Sequence, residues 1–182
     1  MLGGSIPDFG PLKATALIGD RNGTYGARKL NLLIGDEKAA ALTVTGRIAS
    51  LLKTDEDYID GIYLTAVARD LPLQQLSDRL GRSLSYLGPL NGRFQIAGSL
   101  QQLSISKADL TTLSPQGLKI EATGGIDHIR MKAANPIAGI DFSLTATAPG
   151  WVALPVVAGL DLPDLGPLQA TASISDRSGS LD

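Results

Sequence analysis

A phrase recurs along this chain at a fixed distance, and that recurrence constrains the fold more than composition does. Residues 8–26 read DFGPLKATALIGDRNGTYG and residues 164–182 read DLGPLQATASISDRSGSLD; without a gap they are identical at 11 of 19 positions. Their shared Gly-Pro-Leu begins at Gly10, Gly88 and Gly166, a constant offset of 78 (88 less 10, and 166 less 88). The same offset pairs Gly46 with Gly124, Ile48 with Ile126, Gly61 with Gly139, Ile62 with Ile140 and Gly81 with Gly159. A long internal period marks a stack of like units, each leaning on its neighbours. Residues 1–9 then read as the end of a preceding repeat, 10–87 as the first repeat, 88–165 as the second, and 166–182 as the first strand of a third. These form one continuous fragment. Natural domain boundaries fall in linkers that few contacts cross, so we expect an excised piece of a longer repetitive protein.

Within a unit the apolar residues recur every second position. Leu12, Ala14, Ala16 and Ile18 alternate with Lys13, Thr15, Leu17 and Gly19. The pattern returns at Leu30, Leu32 and Ile34, at Leu42, Val44 and Ile48, and at Ile62, Leu64, Ala66 and Ala68. The second unit repeats it with Leu90, Phe94 and Ile96, with Leu118, Ile120, Ala122 and Ile126, and with Ile140, Phe142, Leu144 and Ala146; Leu168, Ala170, Ala172 and Ile174 open the third. A period of two is that of a strand with one apolar face. Turn residues separate the strands at Asp20-Arg21-Asn22-Gly23, Gly35-Asp36-Glu37 and Ser114-Pro115-Gln116-Gly117. The expected fold class is mainly β: antiparallel meander repeats forming a curved, open, taco-like groove.

The pattern changes between units. DLPLQQLSDRLG places Leu73, Leu76 and Leu80 at helical spacing between Pro72 and Gly81, which predicts a short amphipathic helix. Its counterpart APGWVALPVVAG is as apolar, but Gly150 and Pro155 favour a coil. Both read as connections crossing back over the sheet. The chain's 182 residues carry 16 basic and 18 acidic side chains, interspersed, with no electrostatic footprint for nucleic acid. It has no cysteine, and MLGGSIPDFG has neither the basic nor the apolar region of a signal peptide.

The apolar face demands a cover. Eight or nine strands about 4.8 Å apart, each about 25 Å long, present roughly 1,000 Å² on one side. Soluble monomers rarely expose apolar patches above about 300–600 Å². A second sheet, the crossing segments, another copy or an apolar ligand would each serve. A unit that stacks propagates rather than closes, leaving a continuous trough.

The recurrent LPDLGPL that opens a strand is followed by Gly46-Arg47-Ile48 or Gly124-Gly125-Ile126 at the end of the third strand, then by an I-x-L/F strand and an apolar connector. In order and period these motifs resemble the AsmA-like proteins of Gram-negative bacteria over essentially the whole chain. The resemblance implies envelope proteins anchored in the inner membrane, whose periplasmic part is a repeating β-groove that carries phospholipid between the two membranes. It also implies no enzymatic activity and no cofactor.

The residues support the same mechanism. Acyl chains would lie along Leu12, Ala14, Ile18, Leu30, Leu32, Ile34, Leu42, Val44, Ile48, Ile62, Leu64, Leu90, Phe94, Ile96, Leu118, Ile120, Ile126, Ile140, Phe142, Leu144, Leu168 and Ile174. Each CH₂ covered would contribute about 0.8 kcal/mol, with little selectivity for the headgroup. Other motifs carry less. His128 has no second histidine or cysteine to share a metal, Asp55-Glu56-Asp57 lacks the spaced oxygens of a calcium loop, and no serine lies in Gly-x-Ser-x-Gly. Asp20-Arg21 and Asp176-Arg177 recur at a hairpin end, where charges keep a turn hydrated. The alternatives are a structural or adhesive β-repeat with a plain packed core, and a groove that assists assembly of secreted or β-barrel proteins. Self-association through open strand edges is expected on any of these readings.

Overall fold

The computed structural model describes residues 10–21, 23–36, 39–52, 59–73, 84–130, 137–150, 153 and 166–176. Nine strands follow one another along them: β1 (Leu12–Arg21), β2 (Thr24–Asp36), β3 (Ala39–Leu52), β4 (Asp60–Pro72), β5 (Pro89–Gly98), β6 (Gln102–Leu113), β7 (Lys119–Arg130), β8 (Ile137–Ala148) and β9 (Leu168–Ser175). They form one sheet in sequence order, each antiparallel to the next. A single 3₁₀ turn, Ser85–Leu87, lies ahead of β5.

Short turns impose this order. The β1–β2 register closes with Arg21 opposite Thr24, leaving a two-residue loop whose Gly23 sits at φ +77°. Glycine adopts such a positive φ without steric cost, which suits it to a tight hairpin turn. Between β6 and β7 the Gly117 N–H donates to the Ser114 carbonyl at 3.0 Å, and the Leu118 N–H donates to Ser114 Oγ at 3.0 Å. Between β5 and β6 the Ser99 N–H donates to the Gln102 carbonyl at 2.9 Å. Every turn predicted from sequence therefore falls between two paired strands.

The sheet is open and uncurled. β1 and β9 stand at opposite ends without pairing, and packing runs mainly between strands adjacent in sequence. The described strands alone therefore do not close the expected taco-like trough, because none crosses the sheet to wall in the apolar face. The predicted helix lies outside the described residues beyond Leu73, and so does the apolar coil apart from Gly150 and Ala153. Among the described residues no helix is long and apolar enough to cross a membrane.

Burial is that of a single layer. The buried apolar residues are mostly alanines, with Val44, Ile62, Leu71 and Leu118, and no large side chain is fully buried among the described residues. A small core of Leu118, Ala148 and Ala153 gathers Ile120, Ala146 and Leu168 at one end of β7–β9.

Candidate functional site

Antiparallel register puts directly opposed residues on the same side of a sheet. Followed from strand to strand, it sorts the side chains into two unlike faces. One row reads Leu12, Ile34, Leu42, Ala68, Gly92, Leu110, Ala122, Leu144, Ala172, and spans all nine strands. A second joins Ala14, Leu32, Val44, Ala66 and Phe94, and resumes past a bulge with Ala108, Gly124, Phe142 and Ile174. A third runs Leu30, Gly46, Leu64, Ile96, Ile105, Ile126, Ile140. A fourth runs Ile18, Ala27, Ile48, Ile62, Gly98, Leu103, Ile129, Ile137. Leu90 and Ile120 share a shorter row through Thr112, and Leu168 opposes Ala148 beside Leu118. The register thus brings the residues expected to line the groove onto one face.

The opposite face is polar. One of its rows reads Lys13, Leu33, Thr43, Val67, Arg93, Asp109, Thr123, Ser143, Ser173, and another Thr15, Asn31, Thr45, Thr65, Gln95, Ser106. Cover on the apolar face thins toward the sheet edges. Ile62 is 7% exposed in the middle, whereas Leu12 is 65% and Ile18 69% exposed on β1.

Several apolar-face residues escape a simple count of alternate positions: Ala27, Leu103, Ile105, Ala108, Leu110 and Ile129. A pair of β-bulges accounts for those in β2 and β6, and a further shift, in which Ile126 to Ile129 of β7 spans Leu103 to Ile105 of β6, accounts for Ile129. Pairing shifts between Ala27 and Leu30 in β2 and between Ile105 and Ala108 in β6, with Lys29 and Lys107 both at φ +51°. An extra residue reverses the alternation, so odd-numbered Leu103 and Ile105 share a face with even-numbered Ala108 and Leu110. The bulged lysines stand one full period apart, which is the signal that could have located the second bulge from the first.

His128 is held locally, its Nδ1 3.1 Å from Gln102 Nε2 and 2.7 Å from the Asp127 carbonyl oxygen. Among the described residues no group of histidines and carboxylates is arranged to hold a metal ion. Asp55-Glu56-Asp57 lies outside the described residues. What the face offers chemically is apolar area. Comparison with known proteins adds no relative: no family, no curated protein and no solved structure matches this chain.

Proposed function

We propose that the apolar face of this sheet carries the acyl chains of phospholipid, as part of a lipid-transport groove of the AsmA-like kind in the periplasm of a Gram-negative envelope. The observation that supports it is the set of aligned apolar rows, backed by a polar face and lacking any fully buried large side chain among the described residues. A face that served only as core would be expected to bury its large side chains completely. Acyl chains lie along such rows without a specific pocket, since their gain scales with the CH₂ groups covered. Headgroups stay in water and no covalent step is required. The trough's curvature and the inner-membrane anchor of a parent protein belong to this proposal, as does pairing of copies through β1 and β9.

The test is the lipid content of the protein purified without detergent. Mass spectrometry of an organic extract should find phospholipid, and an apolar fluorescent probe should bind. Leu64→Glu and Ile126→Glu, both in the third row, should weaken probe binding about tenfold or more, the loss expected when a charge displaces about 1.4 kcal/mol of apolar contact. Absence of both lipid and probe binding would overturn the reading in favour of a structural repeat.

A further inference from the structure

The polar face holds a depression whose shape and charge the fold does not require. Its floor is Gly19, Gly26 and Ala49, and around it stand Thr24, Arg28, Arg47 and Tyr63, enclosing about 340 Å³. Gly19 and Gly26 are directly opposed on β1 and β2, so the floor has almost no side chains. The Arg28 guanidinium lies over Gly19, its Nη2 3.0 Å from where a Cβ would stand. The Arg47 guanidinium carbon lies over the Tyr63 ring, 5.0 Å from its centroid, a cation–π contact. Among the described residues no carboxylate pairs with Arg28 or Arg47.

The β2 bulge concentrates this charge. Between the pairs Ala27–Ile48 and Leu30–Gly46, Arg28 and Lys29 together oppose Arg47, so three cations meet at one irregularity. Like charges placed opposite one another destabilise a sheet. The bulge does not need them. One period further along the chain, Ser106, Lys107 and Gly125 build the bulge of β6, and Asp141 stands in place of Tyr63. Only the lysine recurs, so the two arginines and the tyrosine distinguish this depression from its counterpart.

We propose that the Arg28–Arg47–Tyr63 depression binds a phosphate group, carried by a lipid headgroup or by a soluble phosphate compound. Guanidinium forks pair with oxyanions two oxygens at a time. Two forks from neighbouring strands call for more than the two oxygens of a carboxylate. The Tyr63 and Thr24 hydroxyls can donate to the remaining oxygens, and the bare floor admits the group close to the backbone. This site lies on the face opposite the apolar rows and stands independently of the acyl-chain reading.

Two probes on the full chain test it: inorganic phosphate, followed on the backbone amide signals of Gly19 and Gly26, and vesicles of phosphatidylcholine with or without phosphatidylglycerol, followed by co-sedimentation. At least one should respond, and the response should be lost in R28Q/R47Q; for vesicles, removing two cations should weaken binding roughly 30-fold. A response to phosphate alone assigns a soluble ligand, and a response to phosphatidylglycerol vesicles alone assigns a headgroup. R69Q/R93Q removes equal charge elsewhere on the same face and should retain most of the binding. Circular dichroism checks each fold, and R47Q alone, with a roughly fivefold loss, serves if the double variant misfolds. Silence of both probes, or an equal loss in R69Q/R93Q, would overturn the assignment.

Discussion

Gly46 and Gly124 each lie against a neighbouring strand at φ +151° and +152°, where a Cβ would collide with the carbonyl oxygen of Tyr63 or Asp141. Any side chain there meets both backbone strain and a steric clash that the next strand cannot relieve. Gly124→Ala should therefore lower stability by about 2–4 kcal/mol, read as a lower urea midpoint. Asp70 shows a different solution to positive φ. At φ +49° it is clasped by Asn91, whose Oδ1 accepts the Asp70 N–H at 2.9 Å and whose Nδ2 donates to Asp70 Oδ1 at 3.1 Å. Asn91→Ala removes both bonds and should cost about 1–3 kcal/mol in the same assay. The glycines were legible as period markers because they recur at the spacing of the repeat. The Asp70–Asn91 clasp was not, since its partners are distant in sequence and only the β4–β5 register brings them together.

At the scale of the strand, alternation made most of the sheet readable. β1 keeps its apolar period, β4 keeps it from Ile62 to Ala68 and β8 from Ile140 to Ala148, and the turn residues between strands mark the hairpins. β6 was the strand that escaped, because the bulge at Lys107 breaks its alternation and Thr112 occupies an apolar-face position. The two edge strands carry their own consequence. β1 exposes Leu12 and Ile18, and β9 exposes Ile174, at the two ends of the described sheet. Natural edges are blunted by inward-pointing charges. The double variant Ile18→Lys, Ile174→Lys should shift the protein toward monomer, seen as a smaller sedimentation coefficient at matched concentration. An unchanged coefficient would argue against association through these edges.

The described strands form one layer and pack chiefly on their sequence neighbours. In such a structure stability accumulates from local interfaces rather than from one central core. Opening should therefore be graded. Amides of β3 and β4, which flank Val44, Ile62 and Ala66, should exchange hydrogen most slowly, and those of β1 and β9 fastest. Native-state exchange measures this directly, and uniform protection across the sheet would contradict it.

Hydrophobic period, turn chemistry and the long-range recurrence of Gly-Pro-Leu were enough by themselves to specify antiparallel strands joined by hairpins and an apolar face that asks for cover. These are local properties, written in near neighbours along the chain and copied from one unit to the next. Tertiary structure alone decided how the bulges realign the faces, that β1 and β9 stay apart, and that Arg28, Arg47 and Tyr63 meet over a floor of glycines. Register accumulates across strands, and a single inserted residue changes which side chains become neighbours.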